Sequence, residues 1–262
     1  MNFVARLGLA TRERWYGLRY VLAVAWTVLA VTAKWKYWSR TARIVLARQI
    51  LFTGYEAAKF VSLVAFLIGI SIVVQSQVLL GSFGQSDMLG AVLVTVIIRE
   101  VGPLLTNFIV IGRSGTAMAT EMGGMKVNGE VHVLDSLGLD PFIHLVVPRV
   151  FGAAVSVFCL TIVFIVVSFS SGFITGSLLG LNTTDFWMFS DSVFGAIKKS
   201  DVFNVLAKTF IPGLMTGSIC CIEGLSVGAS FTEVPQAATR AVTRSTAALF
   251  ITSVLVSVLT YI

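Results

Sequence analysis

Charged residues are scarce in this 262-residue chain, at 12% of the total, while hydrophobic residues make up 56%. This composition excludes an ordinary soluble domain, in which about a quarter of the residues are charged. Cysteine is also rare, and all three cysteines fall inside apolar stretches. That placement excludes a secreted disulfide framework and is typical of small residues in a core. The sequence therefore predicts an integral membrane protein.

The signatures of catalysis are also missing. The glycine-rich segment 112–126 is not a Walker loop, because Lys126 is followed by Val127 instead of serine or threonine. His132 and His144 have no metal-ligating partner at a useful spacing. No nucleophile and base form a recognisable pair. We predict a chain that is not an enzyme, with no catalytic residue, no metal site and no cofactor of its own.

What the sequence does contain is a series of apolar stretches, each near the ~20 residues that cross a bilayer as a helix. There are five, at residues 60–82, 88–112, 148–180, 203–227 and 243–262. Lysine and arginine are concentrated before residue 60, which predicts a cytoplasmic N-terminus by the positive-inside rule. We expect one all-α membrane domain over residues 1–262, with a five-span core at 56–262.

The N-terminal region, residues 1–55, is expected to be cytoplasmic or interfacial. Residues 16–33 are apolar, but Arg19 interrupts them and Trp15 and Trp35 flank them together with basic residues. Tryptophan and basic residues at both ends favour a helix that lies in or dips into the membrane interface. A sixth span or an uncleaved signal anchor is the alternative.

The second span contains two charges and a helix breaker, Arg99, Glu100 and Pro103. An ionisable group at bilayer depth costs at least ~2.5 kcal/mol, so both charges must face protein or water. Adjacent helical residues point about 100° apart, so their partners are expected on other helices or on a second copy. Pro103 leaves the carbonyl of Arg99 without its helical donor and predicts a kink.

Further polar residues of neighbouring spans, Gln75, Gln77 and Lys208, are expected at a similar depth. With the apolar Ile72, Leu79 and Phe83 they suggest a cavity for a ligand that has a charged head and an apolar body. Two alternatives stay open: a purely structural buried pair, or charges that snorkel to the membrane surface.

A short amphipathic helix is predicted between the second and third spans, at about 125–138. Val127, Val131 and Leu134 share one face of it, while charged residues occupy the others. Gly129 is expected to weaken this helix by ~1 kcal/mol relative to alanine. The helix is either a surface that a motor on another chain pushes, or a connector that rests on the membrane.

Four stretches in order resemble one known family: "REVGPLL" (99–105), "GRSGTAMATEMGGMKV" (112–127), "LGLDPFIHLVVPRV" (137–150) and "RAVTRS" (240–245). They are similar to the MlaE/YrbE permeases, the membrane subunits of ABC transporters that move phospholipids and related lipids between membranes. The resemblance runs from about residue 45 to the end. Where family members often read Thr-Glu-Gln, this chain has Asn128, Gly129 and Glu130, and Phe83 stands where tyrosine can occur.

The resemblance implies an ABC-permease homodimer in the bacterial inner membrane, with an N-terminal interfacial helix and five transmembrane helices per subunit. It also implies two cytoplasmic ATPase subunits that hold ATP and magnesium, a periplasmic MCE-domain lipid-binding protein, and a role in outer-membrane lipid asymmetry; nucleic acid has no part. The implied residues of a phospholipid pocket at the dimer interface are Arg99, Glu100, Ile72, Gln75, Leu79, Phe83 and Lys208. Those of the ATPase-coupling helix are Lys126, Val127, Glu130, Val131, Leu134, Asp135 and Leu137.

Two other classes of function fit the residues. An ion- or proton-coupled carrier would use Glu100 as a titrating group, since carboxylates within membranes often serve proton paths. A non-transporting scaffold would assemble other chains through small residues at four-residue spacing, such as Ser168, Gly172, Gly176 and Gly180. The identity of the lipid and the direction of its movement do not follow from the sequence.

Overall fold

The computed structural model describes residues 3–33, 40–83, 88–179, 186–228 and 230–261, with the side chains of 3–16, 18 and 186 excepted. Within these ranges every regular element is a helix, and no strand is formed. We number the helices α1 Phe3–Thr32, α2 Arg40–Ser82, α3 Leu89–Val127, α4 Glu130–Ser136, α5 Phe142–Leu178, α6 Phe186–Ala196, α7 Lys199–Leu225 and α8 Glu233–Tyr261.

Five helices, α2, α3, α5, α7 and α8, are long and apolar enough to cross a membrane. Each of them overlaps one of the five predicted spans, four of which extend one or two residues beyond the helix, and the all-helical membrane architecture is therefore confirmed. The apolar part of α1, Arg19–Thr32, is shorter than these five. Its Val24 and Val28 are buried against Leu145 of α5 and Cys221 of α7. Trp35, one of the predicted flanking residues, lies outside the described residues.

The five long helices alternate in direction and define two ends of a bundle. We call the end with Ser82, Leu89 and Lys199 the distal end, and the end with Val127 and Leu225 the proximal end. α7 is the central helix, because it packs against α3, α5 and α8 and buries most of its residues. α2 and α8 lie at the periphery and expose apolar side chains, among them Phe60, Leu63, Val254 and Leu255.

Small residues let α2 and α5 pack closely. A Cβ atom on Gly69 of α2 would lie 2.2 Å from the carbonyl oxygen of Ser168, and one on Gly172 of α5 would lie 2.3 Å from a methyl group of Val73. The Ser168 hydroxyl donates a hydrogen bond to the carbonyl of Ala65 at 3.1 Å. Ser168 and Gly172 thus serve packing within this chain, while Gly180 lies outside the described residues.

Several spans contain wider, π-helical turns, at Leu51–Tyr55, Val94–Val101, Ile111–Gly115 and Phe142–Val146. Turns of this kind often occur at functional sites. The longest, Val94–Val101, contains Arg99 and Glu100 and ends two residues before Pro103. The charged motif therefore lies where the regular helical hydrogen bonds of α3 are interrupted.

The short helix α4 covers Glu130–Ser136, not 125–138. Lys126 and Val127 form the end of α3, so the predicted boundary is wrong at that side. Gly129 has a φ of 77° and precedes α4 as a left-handed residue. Because it lies outside the helix, the predicted helix penalty at Gly129 is also wrong: glycine suits this conformation better than any other residue.

Candidate functional site

Arg99 of α3 pairs with Asp201 in the first turn of α7. Its Nε lies 2.8 Å from Oδ1 of Asp201, and a terminal nitrogen lies 3.2 Å from Oδ2. The guanidinium also stacks on Tyr261, with its central carbon 4.7 Å from the ring centroid. Asp201 is fully buried and accepts further bonds from the Tyr261 hydroxyl at 2.9 Å and the backbone N–H of Lys198 at 2.9 Å. Both oxygens of this carboxylate are therefore occupied.

Glu100 pairs with Lys208 of α7. The ammonium group donates to Oε1 of Glu100 at 2.6 Å, and the Ser257 hydroxyl of α8 donates to the same oxygen at 2.8 Å. Three helices thus meet at one carboxylate oxygen. Arg99 and Glu100 do not pair with each other; each forms its ion pair with a residue of α7. Their partners come from other helices of the same chain. This was one of the two predicted possibilities, and the other was a second copy of the chain.

Two prolines explain why α3 and α7 are tied together here. Pro103 cannot donate to the carbonyl of Arg99, and the Lys208 ammonium donates to that carbonyl at 2.7 Å instead. Pro212 cannot donate to the carbonyl of Lys208, and the amide of Asn107 donates to it at 3.1 Å. Each proline frees a carbonyl that the other helix satisfies. The predicted free acceptor beside Arg99 is confirmed, with Lys208 as its donor.

We call this group the distal polar cluster, because α7 begins and α8 ends at its level. Its two cations and two carboxylates balance one another in charge, so the cluster needs no counterion. A neutral, hydrogen-bonded group of this kind is tolerated within a membrane where an isolated charge is not. Its members are Arg99, Glu100, Asp201, Lys208, Ser257 and Tyr261.

The predicted pocket residues of α2 are placed differently. Gln75, Leu79 and Phe83 are exposed, and Ile72 is partly buried against Val94 and its neighbours. The described hydrogen bond of Gln75 goes to Ser71 on its own helix, at 3.4 Å. The structure thus brings Arg99, Glu100 and Lys208 together and leaves the α2 residues on an open surface.

Sequence reasoning missed Asp201, Asn107, Ser257 and Tyr261. The signal for Asn107 was available: Pro212 follows Lys208 by four residues and leaves a carbonyl that needs a donor. Asp201 precedes the fourth predicted span, 203–227, whereas the structure places it in the first turn of α7, where it accepts a hydrogen bond from the backbone N–H of the N-cap residue Lys198. Nothing in the sequence distinguishes Ser257 or Tyr261 from ordinary residues of a span.

A second ionic group lies at the proximal end, which we call the proximal polar cluster: Glu223, Arg240 and Arg244. Glu223 of α7 is buried, and Nε of Arg240 lies 3.2 Å from one of its oxygens while Arg244 binds the other. This pairing explains both arginines of "RAVTRS". A cavity of about 430 Å³ adjoins them on α8, lined by Gln236, Thr239, Arg240, Thr243 and Arg244.

The predicted coupling residues form part of the proximal surface. Val131 and Leu134 of α4 pack onto the core beside Met122, and Val127 packs against Val227 and its neighbours. The Lys126 ammonium donates to the carbonyl of Leu225 at 2.5 Å and so joins the ends of α3 and α7. The remaining members, Glu130, Asp135 and Leu137, are exposed.

Comparison with known proteins agrees with this architecture. Residues 46–259 match the family model described as Permease MlaE. A probable ABC transporter permease protein of Rickettsia typhi is 31% identical over 218 residues, which cover 83% of each chain. The intermembrane phospholipid transport system permease protein MlaE of Haemophilus influenzae is 26% identical over 200 residues, which cover 76% of each chain. The chain therefore belongs to the MlaE permease family of ABC transporters.

Proposed function

We propose that this chain is the membrane subunit of an ATP-driven transporter that moves phospholipids between the inner membrane and a periplasmic MCE-domain carrier. The observation that carries the proposal is the distal polar cluster, a partly open ionic group among apolar helices. A phospholipid joins a charged head to apolar chains, so it matches such a surface. The name of the Haemophilus relative supports the same class of substrate.

The lipid pocket is completed by a second copy of the chain. Leu79 and Phe83 on α2 and the apolar face of α8 are exposed in one chain, and a homodimer would enclose such surfaces. In this arrangement the head group meets the distal polar cluster. The acyl chains lie along the α2 residues Ile72, Gln75, Leu79 and Phe83, of which the last three are exposed.

Two separate ATPase chains supply the energy, with ATP and magnesium bound to them. Their contact surface is the proximal end around α4, where Glu130, Asp135 and Leu137 are exposed. A displacement of α4 by the ATPase would move the core residues that Val131 and Leu134 contact. The hydrogen bond from Lys126 to the carbonyl of Leu225 would couple the same displacement to α7. Because α3 and α7 also form the distal polar cluster, the motor can favour a state with a different lipid contact.

The orientation follows from the charge pattern. The basic N-terminal region lies in the cytoplasm, and the distal end faces the periplasm, where the MCE-domain protein docks. Movement of phospholipid between the two membranes then serves outer-membrane lipid asymmetry. α1 rests at the cytoplasmic interface of the inner membrane.

The test is transport of a fluorescent phospholipid by proteoliposomes that contain this chain with its ATPase. We expect ATP-dependent transfer, impaired by Arg99→Ala and by Glu100→Gln combined with Lys208→Met, a pair that removes both charges together. Binding of the ATPase should persist in these variants. Glu56→Gln is the matched control, because Glu56 also pairs with an arginine of α3, Arg113, at 3.2 Å.

Several outcomes would overturn the proposal. Transport at the wild-type rate in both variants would remove the distal polar cluster from the pathway. Transport that needs a pH gradient and no ATP would favour the proton-coupled carrier. Absence of any transport and of any bound lipid would favour a scaffold.

A further inference from the structure

The two charges of the Glu100–Lys208 pair differ sharply in exposure. The Lys208 side chain is 1% exposed, whereas that of Glu100 is 48% exposed. A ligand that approaches the distal polar cluster therefore reaches the carboxylate and not the ammonium group. At this point a lipid head group therefore meets a negative charge.

Both cations of the distal polar cluster already pair with groups of this chain. Lys208 donates to Oε1 of Glu100 and to the carbonyl of Arg99, at 2.6 and 2.7 Å. Arg99 presents Nε and one terminal nitrogen to Asp201 and lays its face on Tyr261. The terminal nitrogens of Arg99 keep N–H groups beyond its contacts with Asp201, but only 20% of this side chain is exposed, so the half-exposed carboxylate of Glu100 is the more accessible charge.

The accessible acceptor is the second oxygen of Glu100. Both described contacts of this carboxylate, from Lys208 and Ser257, use Oε1. Asp201, the other carboxylate of the cluster, is fully buried and accepts on both oxygens. Oε2 of Glu100 thus remains for a donor that comes from outside the chain.

We propose that Glu100 selects phospholipids whose head group carries a protonated amine, with the ammonium group donating to Oε2. This inference rests on the proposed function and adds its head-group class. An ammonium and a carboxylate form a charge-assisted hydrogen bond, which is stronger than a neutral one. An anionic head without an amine, such as glycerol phosphate, offers this oxygen only neutral hydroxyl donors, and its bond there lacks the positive charge of an ammonium group.

The experiment equilibrates the complex of this chain with its ATPase in mixed micelles of equal phosphatidylethanolamine and phosphatidylglycerol with the same acyl chains. Bound lipids are then extracted and quantified by mass spectrometry. We expect phosphatidylethanolamine to be enriched about tenfold over the bulk ratio, the value of one charge-assisted hydrogen bond at a partly exposed site. Glu100→Gln with Lys208→Met should return the ratio to about one, on the same basis.

A matched control outside the cluster protects the result. Glu56→Gln removes a carboxylate of similar exposure, 45%, outside the cluster, and should behave as the wild type. The wild-type ratio decides the proposal by itself if the double variant fails to fold.

Different results would contradict the head-group inference and the proposed function. Equal amounts of both lipids on the wild type, together with ATP-dependent transport, would overturn the head-group inference and leave the proposed function standing. No bound phospholipid and no transport would remove both. If the double variant keeps the lipid ratio but changes the oligomeric state in light scattering, Oε2 serves a second copy of the chain and the inference is wrong.

Discussion

The Glu100–Lys208 pair of the distal polar cluster and the ion pairs of the proximal polar cluster have opposite arrangements of charge. In the distal cluster the cation Lys208 is buried and its partner Glu100 is half-exposed. In the proximal cluster the carboxylate of Glu223 is 4% exposed, while its partners Arg240 and Arg244 are 46% and 65% exposed. α7 supplies the buried charge in both clusters, and other helices supply the exposed ones.

This difference in exposure indicates which residue of an ion pair costs more stability when it is removed. An exposed charge that faces water, as Glu100 does in the proposed lipid pocket, is hydrated when it loses its partner, whereas a buried charge is not. The pair of Arg149 and Glu121, 2.8 Å apart, has a buried cation at the proximal end, so the rule depends on burial and not on the end of the bundle. In each pair, removal of the exposed partner should be the more damaging change.

The largest effect is expected for Glu100→Ala. It leaves the Lys208 ammonium buried without a carboxylate, and removal of one partner of a buried pair costs about 3–5 kcal/mol. Lys208→Met should cost less, about 1–3 kcal/mol, because it leaves the Arg99 carbonyl unpaired but a hydrated Glu100. The measurement is thermal unfolding of the purified chain in detergent. Equal losses for both variants would contradict the asymmetry.

The proximal cluster should show the reverse order. Arg240→Ala with Arg244→Ala leaves Glu223 buried and unpaired, at a cost of about 3 kcal/mol. Glu223→Gln leaves two exposed arginines that water can solvate, and it should cost about 1 kcal/mol. Each single arginine variant should cost less than half of the double variant, because the other arginine still neutralises Glu223. Additive single effects in the same unfolding assay would show that the arginines do not share one buried charge.

The sequence was sufficient for the spans and for the charged motif, because length, hydropathy and isolated charges are local signals. It also identified Lys208, since a lysine within an apolar run needs a partner. It did not reveal which partner each charge takes: Arg99 and Asp201 are 102 residues apart in the chain. Asp201 follows two lysines and a serine, and that local polarity places it before the fourth predicted span.

The surface of α2 marks a different limit of sequence reasoning. Gln75 and Lys208 were expected in one layer because both are polar residues within spans. Depth along a helix can be estimated from a sequence, but the direction in which a side chain points depends on how the helices pack. One residue turns a side chain by about 100°, so a small error in the assumed face removes a residue from a site.

The hydrogen bond from the Asn107 amide to the Lys208 carbonyl, which Pro212 leaves without a helical donor, gives the third prediction. Asn107→Ala removes the donor to the Lys208 carbonyl and leaves a buried acceptor unpaired, at a cost of about 1–3 kcal/mol. Pro212→Ala restores a backbone donor four residues after Lys208 and should recover much of that loss in the double variant. The coupling in this double-mutant cycle should be at least about 1 kcal/mol. A coupling near zero would mean that the Asn107 amide does not replace the missing helical hydrogen bond.

The smallest expected effect is the loss of one hydrogen bond within the distal polar cluster. Ser257→Ala removes a hydroxyl donor from Oε1 of Glu100 and leaves the contact with Lys208 in place. One hydrogen bond contributes about 0.5–1.5 kcal/mol, and Glu100 is exposed enough for water to replace the donor. We expect a loss near the lower value, because a hydrated carboxylate compensates for a lost partner where a buried one does not. A loss as large as that of Glu100→Ala would show that the hydroxyl, and not the lysine, holds this carboxylate against α8.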